Sequence, residues 1–410
     1  MICSQVFDPE PGWRGMNFAR WLKNNGCEVE VLTGFPNYPL GKVYKDYKMR
    51  WFEREEMDGI SILRVPLYPS HDSSFLRRAI SYFSFMISAI CIGASKTRKA
   101  DVVYIYNLPT VALVALWLKL TRKTPYVFNI PDIWPDSVIE SGMIKKRVSL
   151  WFAQKILSWW LIHITYRNAS VITVLSEGFK RILVARGVPE DKIVLVYNWA
   201  DDNLFRPVPV DQKLRNELGF TGYFNFVYAG NVGAMQNVGT LIRAAKKLNV
   251  AGNKIRLNII GTGQSIQETK RLAAELDVSN VRFLEWRDSS EMLPIYAMSD
   301  VLIIHLRDIP LFETTIPGKT QVSLAVGRPI LMAVPGEAQE IILKAKAGMI
   351  CEPENVQMMA NVMEEMADLE HDVLKRMGNN AREFYEREMA ESVGAPRMHN
   401  ALLRACHRTS

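Results

Sequence analysis

Cysteine and histidine are scarce in this chain of 410 residues, and neither is spaced for metal binding. The five cysteines are scattered and form no Cys-x-x-Cys pair, and the six histidines show no ligand spacing. This pattern predicts a reducing compartment and argues against a disulfide framework or a zinc site. The first residues also lack the pattern of a secretory signal, so we expect a cytoplasmic protein with no bound metal.

A complete dinucleotide-binding motif is also missing. Gly261-Thr262-Gly263 is followed by Ile266 where the third glycine of Gly-x-Gly-x-x-Gly belongs, which disfavours a nicotinamide oxidoreductase.

Acidic residues are under-represented in one half of the chain. Residues 1–200 hold 26 Lys and Arg against 17 Asp and Glu, whereas the remainder holds 24 against 26. A basic first half indicates contact with an anionic surface, and no nucleic-acid-binding module is present.

The uncharged segments support a membrane as that surface. Ile80–Ala94 has fifteen residues without charge, fewer than the roughly 20 that span a bilayer, and it follows Arg77 and Arg78. Met143–Arg167 mixes basic residues with Trp and Phe, a composition that suits the interfacial plane. We therefore predict two membrane-facing segments, 75–94 and 143–167. The alternative is two buried core helices, each with a basic surface turn.

Short apolar runs alternate with helical patterns along the whole chain, and many of the turns between them contain glycine. Such alternation predicts doubly wound parallel sheets, and the chain is long enough for two of them. We predict an α/β protein with Rossmann-like domains at 1–198 and 210–380, a linker at 199–209, and a C-terminal helix at 381–410 that packs on the first domain. The predicted strands are 2–7, 28–33, 102–106, 126–130, 171–175, 193–197, 226–229, 256–260, 281–284 and 301–305.

The most informative segment is Pro317-Gly318-Lys319, a turn before a short helix. The first turn of a helix presents unpaired N–H groups and a partial positive charge, which suit a phosphate, and Lys319 adds a full charge. The alternative is a solvated lysine at a helix end. Ligands bind at the carboxyl ends of strands in such sheets. Two more glycine turns, 230–233 and 261–263, follow predicted strands of the same half, which indicates a phosphate-bearing ligand.

In the first half, two loops carry candidate residues. The loop after the first strand offers Gly12, Arg14 and Gly15 at a helix start. After the strand at 126–130 come two aspartates with two prolines and a tryptophan. Asp136 is as well explained by helix capping as by chemistry. For Asp132 a role in acceptor binding or proton transfer stands beside the same capping alternative.

Five motifs occur in a recognisable order. They are Pro-Glu-Pro-Gly at 9–12, Thr-Gly-Phe-Pro-Asn-Tyr-Pro at 33–39, Asp-Ile-Trp-Pro-Asp-Ser at 132–137, Tyr-Ala-Gly-Asn-Val-Gly at 228–233, and Thr-Ile-Pro-Gly-Lys at 315–319 with Gly-Arg-Pro-Ile at 327–330. They are distributed from residue 9 to residue 330, along most of the chain. In these motifs the chain resembles the bacterial family 4 glycosyltransferases of GT-B fold, and within them the subgroup of colanic-acid-type capsule and O-antigen transferases.

The resemblance implies a fold of two Rossmann-like domains facing across a cleft and a metal-independent hexosyltransferase without cofactor. It would move a sugar with retention from a nucleotide-diphosphate sugar, expected to be UDP-linked, to a polyprenyl-diphosphate-linked saccharide at the inner face of the cytoplasmic membrane. The product would be a bacterial surface polysaccharide. The implied catalytic residues are Asp132 and Lys319. The implied donor-binding residues are Gly230, Asn231, Gly233, Gly261, Gly263, Arg287, Pro317, Gly318, Lys319 and Gln321. The implied acceptor or phosphate loop residues are Gly12, Arg14, Gly15, Asn107 and Asp136.

The chain departs from the family pattern where the donor should bind. Asn231 occupies the position of an Arg found in many members, and Gln236 and Asn237 lie where a Lys would be. Val322 occupies the position of the Glu that usually holds the donor ribose. We therefore expect Lys319 to carry more of the diphosphate charge. Gln321 could bind the ribose only if the helix register shifts.

These departures keep two alternatives open. One is a nucleotide-sugar 2-epimerase of the same fold, which needs a cluster of carboxylates and histidines that the sequence lacks. The other is an inactive membrane-associated scaffold, which the residues Asn231 and Val322 favour. Pro131 stands where some relatives have a His, so any proton transfer would involve Asp132 instead.

Overall fold

The computed structural model describes residues 1–11, 14–71, 75–106, 108–134, 156, 159–250 and 254–408. The chain forms two compact units. Unit 1 comprises Met1–Val196 with Ala395–Ser410, and unit 2 comprises Tyr197–Gly394. Each unit is built on one predominantly parallel sheet with helical connections. The predicted α/β class with two Rossmann-like domains is confirmed.

The sheet of unit 1 has the order β3-β4-β2-β1-β5-β6-β7-β8. Its strands are β1 Ile2–Cys3, β2 Glu30–Gly34, β3 Glu53–Met57, β4 Ile60–Val65, β5 Val103–Tyr106, β6 Tyr126–Ile130, β7 Val171–Val174 and β8 Ile193–Leu195. All pairs are parallel except β3 with β4. The central strands are continuous β-branched or aromatic runs because helices cover the sheet.

Two features of this sheet differ from the prediction. The hairpin β3–β4 was not predicted, since Glu53–Met57 is too polar for a buried strand. β3 is an edge strand that faces water. The turn between β3 and β4 is Asp58-Gly59, in which both residues have positive φ, and this dipeptide is preferred in two-residue hairpin turns. β1 is shorter than predicted because the chain turns away after Cys3, where the Ser4 hydroxyl donates to the Val6 carbonyl.

The helices of unit 1 are α1 Met16–Asn24, α2 Phe75–Ser88, α3 Ala94–Lys96, α4 Pro109–Arg122 and α5 Glu177–Ala185, with π-helical turns at Ala89–Gly93 and Leu161–Tyr166. α4 packs against α2 and against the second π-helical turn. Within the described ranges, one helical run is long and apolar enough to cross a bilayer by length and composition alone. This run is Leu76–Lys96, with a mean hydropathy of 1.4. Much of the predicted segment 143–167 lies outside the described residues.

The sheet of unit 2 is entirely parallel, in the order β11-β10-β9-β12-β13-β14. Its strands are β9 Phe224–Ala229, β10 Ile255–Ile260, β11 Val281–Leu284, β12 Val301–His305, β13 Ile330–Ala333 and β14 Gly348–Ile350. Its helices are α6 Gln212–Glu217, α7 Gly239–Val250, α8 Ile266–Glu275, α9 Leu293–Met298, α10 Gly318–Ala325, α11 Glu337–Ala345, α12 Val356–Asp368 and α13 His371–Phe384, and α14 Glu391–His407 follows.

The segment predicted as a linker begins inside unit 2. Trp199 and Ala200 are buried. The Tyr385 hydroxyl donates to the Asp202 carboxylate at 2.6 Å and accepts from the Ala200 N–H at 3.1 Å. A Cβ on Gly394 would lie 2.3 Å from the Trp199 ring, so the two segments that leave unit 2 pack against each other. The polar composition of this segment suggested a free linker, whereas its first residues are held in unit 2 by burial and hydrogen bonds.

Candidate active site

Lys319 lies at the carboxyl edge of the unit 2 sheet, in the first turn of α10. Pro317 precedes this helix and supplies no side-chain cap. The Lys319 Nζ lies 3.6 Å from the centroid of the Tyr228 ring. It has no hydrogen-bond acceptor among the described residues and is shielded from solvent, although the residue as a whole is only half-buried. This burial lowers the pKa of Lys319 to about 7. The face of the ring attracts the protonated amine and opposes that lowering.

Gly230 makes room for this lysine. Its φ of 124° is one that other residues rarely adopt, and a Cβ would lie 2.7 Å from the Lys319 Cε. Two residues earlier, the Tyr228 hydroxyl donates to the Asn231 carbonyl at 2.6 Å. Residues of strand β9 and of the loop after it therefore contact the lysine side chain and restrict its position.

Two polar residues of the loop after β9, Asn231 and Gln236, are hydrogen-bonded to each other. The Asn231 amide donates to the Gln236 Oε1 at 3.0 Å, and the Gly233 N–H donates to the same oxygen at 3.2 Å. This loop is closed by neutral groups and brings no charge of its own. Lys319 is consequently the cation that this loop surrounds.

The glycines after β10 are explained by packing between loops. A Cβ on Gly261 would lie 1.8 Å from the Gly230 carbonyl oxygen, and one on Gly263 would lie 2.3 Å from that of Val232. The Val232 N–H donates to the Thr262 carbonyl at 2.8 Å. These residues contact the loop that contains Gly230, which in turn approaches Lys319, and close backbone approach alone accounts for the glycine at both positions.

Gln321 does not face an open site. The residue is 2% exposed, and its amide nitrogen, in the orientation that satisfies its neighbours, donates to the carbonyl oxygens of Pro317 and Gly318 at 2.9 and 3.0 Å. Its donors are thus used within the first turn of its own helix, and no register shift turns it outward. The expected ribose contact finds no support in this geometry.

Arg287 lies apart from these residues. It follows β11, two strands from β9 along the sheet, and is half-buried. Its neighbour Trp286 is 60% exposed. Asp288 caps the next helical turn through the Ser290 N–H. The structure therefore groups Lys319 with the glycine loops and places Arg287 further along the same edge.

His305 and Glu354 form hydrogen bonds to the loop after β9, and the sequence analysis gave neither of them a role. The buried His305 donates through Nδ1 to the Gln236 carbonyl at 2.8 Å and accepts at Nε2 from the Glu354 N–H at 3.2 Å, a tautomer assigned from these partners. Burial lowers the pKa of His305, in keeping with a neutral ring. The Glu354 carboxylate accepts from the Asn237 amide and the Asp308 N–H. A histidine ending a wholly apolar strand was the available signal.

In unit 1, Asp132 lies in the turn after β6. It is exposed to solvent, yet the protein atoms that crowd around it raise the pKa of its carboxyl group by reducing hydration. Burial is the main cause that raises the pKa of Tyr106 at the end of β5, and the negative charge of Asp132 raises it further. Gly12, Asn107 and Asp136 lie outside the described residues.

Arg14 is buried within unit 1. It is 5% exposed, and its guanidinium donates to the Asn129 Oδ1 at 3.0 Å and to the Tyr104 hydroxyl at 3.4 Å. The Thr173 hydroxyl donates to the same Asn129 oxygen at 2.8 Å. The guanidinium is thus bonded within the sheet, and the expected contact between Arg14 and a phosphate stays a prediction.

The helix start beside Arg14 is also occupied. The Asp8 Oδ2 accepts from the Met16 N–H at 2.7 Å, and a Cβ on Gly15 would lie 1.9 Å from that oxygen. The buried Glu10, which the sequence interpretation did not select, accepts from the N–H groups of Asn37 and Tyr38, both at 2.7 Å. The N–H groups of this loop that could bind an anion thus donate to carboxylates of the chain itself.

Metal ligands are not gathered at either edge. Within the ranges that the structure describes, no group of three or more His, Cys, Asp or Glu side chains is placed to hold a metal ion.

Comparison with known proteins places both halves of the chain in glycosyltransferase families. Residues 11–199 match the glycosyl transferase 4-like domain, and residues 210–384 match glycosyl transferases group 1. WcaI of Escherichia coli strain K12, described as a candidate colanic acid biosynthesis glycosyl transferase, is 25% identical over 384 residues, which cover 90% of each protein. The uncharacterised glycosyltransferase MJ1607 of Methanocaldococcus jannaschii is 25% identical over 350 residues, 83% of this chain and 81% of that protein.

Solved structures share the fold. HepE from Anabaena, crystallised with UDP and glucose, superposes with a TM-score of 0.71 at 15% identity, over 98% of this chain and 99% of HepE. Sucrose-phosphate synthase from Thermosynechococcus elongatus superposes with a TM-score of 0.71 at 16% identity, over 100% and 99% of the two chains. At such identities the likeness shows the fold alone. With its two family matches, the chain belongs to the GT4-type glycosyltransferases of GT-B fold.

Proposed function

We propose that this glycosyltransferase moves a sugar from a UDP-sugar to a polyprenyl-diphosphate-linked saccharide during synthesis of a bacterial surface polysaccharide. The reaction would retain the anomeric configuration, use no metal, and take place at the inner face of the cytoplasmic membrane. The description of WcaI supports the colanic-acid-type subgroup. The structures of HepE with UDP and with UDP-glucose support a UDP-linked donor.

The observation that carries the proposal is the Lys319 amine. It is shielded from water, lacks an acceptor among the described residues, and lies at a helix start without a side-chain cap. An amine in this state is costly unless an anion completes it. In sugar transfer, negative charge grows on the diphosphate as the glycosidic bond breaks, and a preorganised cation stabilises it. Lys319 and the first N–H groups of α10 would serve this purpose without a metal.

Asp132 is the candidate for the acceptor side. It lies at the carboxyl end of β6, and the groups around it raise its pKa without burying it. A carboxylate in such surroundings can accept a hydrogen bond from an acceptor hydroxyl and take its proton during transfer.

Part of unit 1 has the properties of a membrane-contact surface. Eight large apolar side chains are exposed on its helical elements: Leu76, Ile80, Phe83 and Ile87 of α2, Trp117 and Leu120 of α4, and Ile156 and Trp159 before the π-helical turn. α4 contacts both α2 and this π-helical turn. The exposed side chains of α2 recur at helical spacing and form a single stripe. Exposed apolar residues clustered in this way mark an interaction site more often than a free surface.

The charge of this region supports a lipid partner. Residues 73–176 contain 13 Lys and Arg but only 4 Asp and Glu, so the elements that carry the apolar side chains are strongly basic. Only 28% of the apolar window within Leu76–Lys96 is buried, which is less than expected of a core helix. We expect α2 to lie in the headgroup region of an anionic bilayer, with Arg77 and Arg78 at lipid phosphates.

The donor is tested by a thermal-shift panel of UDP-, GDP- and dTDP-sugars. A UDP-sugar at a hundred times its Kd should stabilise the protein by about 2.7 kcal/mol, and the other nucleotides should act only at higher concentration. A stronger response to a GDP- or dTDP-sugar would overturn the UDP assignment.

The reaction is tested with that donor and a synthetic polyprenyl-diphosphate saccharide, with NMR of the product's anomeric centre. We expect a retained linkage and an unchanged rate in EDTA. Release of an epimerised sugar without any acceptor would establish the epimerase alternative, and an inverted linkage or loss of activity in EDTA would contradict the proposed mechanism.

Membrane contact is tested by co-sedimentation with vesicles that contain phosphatidylglycerol. Replacing Ile87 by Ser should weaken binding about tenfold, because a buried aliphatic side chain contributes roughly 1.5 kcal/mol or more. The matched control is Leu343→Ser, which alters a residue of unit 2 that is 53% exposed, close to the 55% of Ile87. Equal binding by the two variants, or no preference for anionic vesicles, would contradict this surface.

A further inference from the structure

The ring of Tyr228 lies against the Lys319 amine, and neither the sequence motif nor the proposed reaction gives this tyrosine a role. Its ring centroid lies 3.6 Å from Nζ, and its buried hydroxyl donates to the Asn231 carbonyl. It thus contacts the cation and also the loop that borders the cation. A phenylalanine could supply the ring, and the hydroxyl adds the tie to the loop.

We propose that Tyr228 is a positioning residue of the donor site, whose ring holds the Lys319 ammonium charged and aimed at the diphosphate. The diphosphate part of this inference rests on the proposed function, whereas the effect of the ring on the lysine does not. A flexible lysine loses side-chain freedom when it is held at one place. The ring and Gly230 together confine it before the donor arrives.

The physical basis is the competition between two environments at one atom. Burial disfavours the charged amine, and the quadrupole of the aromatic ring favours it by about 0.5–2 kcal/mol. Among the described residues, the other titratable group whose pKa responds to Lys319 is His305 at the end of β12, which is neutral and whose pKa the lysine charge lowers further. Within the described residues, no carboxylate raises the pKa of the lysine. The ring is therefore the group that keeps the amine protonated near neutral pH.

The first test follows the Lys319 titration in the ligand-free protein. Protein labelled with ¹³Cε-lysine is titrated by NMR, and the Lys319 signal is assigned with Lys319→Arg. Tyr228→Leu keeps an apolar group but removes the ring, so the Lys319 titration should move about half to one pH unit lower. Tyr228→Phe keeps the ring and should titrate as the wild type does. An unchanged titration in Tyr228→Leu would overturn the inference, and Tyr228→Met repeats the test if the leucine variant does not fold.

The second test uses the pH profile of sugar transfer. Transfer requires protonated Lys319, so the rate falls as pH rises through its pKa. Tyr228→Leu should move this alkaline limb to lower pH and reduce kcat about tenfold, with a smaller change in the KM of the donor, while Tyr228→Phe should keep the limb in place. A purely structural role would lower the rate at every pH without moving the limb. If the wild type transferred no sugar at all, the proposed function would fail, while the lysine titration would still decide the role of Tyr228.

Discussion

The two units share the same type of fold, but the polar groups at the carboxyl edges of their sheets differ in whether they are hydrogen-bonded within the chain. In unit 1, Asp8 caps the start of α1 and Glu10 accepts from loop N–H groups. Arg14 is drawn into the sheet, where it donates to Asn129. In unit 2, the start of α10 has no side-chain cap, and the Lys319 amine has no acceptor among the described residues. One edge completes its own polar groups, and the other leaves them for a ligand.

This difference shows how a shared architecture can divide two tasks. Buried polar groups are nearly always paired, so an unpaired one indicates that function has been retained at a cost in stability. The cation of unit 2 is suited to an anionic donor. The loop of unit 1 that Asp8 and Glu10 complete has little need for an anion. Among the described candidate residues of unit 1, Asp132, after β6, is exposed.

The largest expected effect comes from removing the unpaired cation. Lys319→Met should lower the transfer rate about 10²- to 10³-fold, the range seen when one preorganised donor to a developing anion is lost. The same change should leave the melting temperature of the ligand-free protein equal or higher, because an unpaired buried amine is replaced by an apolar chain. Both are measured on one preparation, by initial rates and calorimetry.

The exposed Lys344 supplies the matched control, since Lys344→Met removes one charge from the same unit without touching the site. If Lys319→Met instead destabilised the protein by several kcal/mol, the amine would have a partner, and the contrast between the two edges would collapse.

The next effect tests the opposite edge. Arg14→Met should lower the free energy of unfolding by about 2–4 kcal/mol, because Asn129 and Tyr104 would lose a charged donor inside the sheet. Urea unfolding measures this change. The KM for the donor should stay within twofold, since the guanidinium does not face a ligand.

Arg20→Met serves as the control for charge. Arg20 pairs with Asp58 at the surface, where both side chains are about half exposed, and its loss should cost less than 1 kcal/mol. A large rise in donor KM for Arg14→Met, with normal stability, would restore the phosphate role that the sequence had suggested.

The sequence predicted the frame of the protein better than the use of its side chains. Strands such as Tyr126–Ile130 and Val301–His305 were predicted to the residue, because a continuous apolar run between turns has few alternatives. Lys319 was found because a Gly-Lys turn before a helix has a local physical meaning. The internal partners of Arg14 and Gln321 could not be predicted, because they come from other strands or from the residue's own helix turn. Sequence spacing carries no record of such contacts.

Asp132 offers a smaller test of the acceptor edge. Asp132→Asn should lower kcat about 10- to 100-fold if the carboxylate takes part in proton transfer, and it should leave donor affinity unchanged. Because the pKa of Asp132 is raised, wild-type activity should be lost on the acid side at a higher pH than an ordinary aspartate would give. The measurement is the pH dependence of kcat.

Asp101 lies exposed just before β5, at the opposite edge of the same sheet, so Asp101→Asn controls for the loss of one carboxylate. An acid limb unchanged in position and size in Asp132→Asn would remove Asp132 from the reaction, and the proposed proton transfer would lose its carboxylate.

The smallest expected effect sharpens the contrast by adding charge to the donor edge. Asn231→Arg introduces the arginine that the family resemblance implies at this position, and it breaks the hydrogen bond to Gln236. Since Asn231 is exposed, a second cation there should lower the donor KM only about three- to tenfold, and it should lower it less at high salt. Ala234→Arg places the same charge on the exposed part of the same loop and should change KM by less than twofold. Equal gains from both variants would reflect general attraction of the anion. A gain confined to Asn231→Arg would mean that the loop can hold two cations around one diphosphate, and that this chain relies on Lys319 because the neutral pair took the second position.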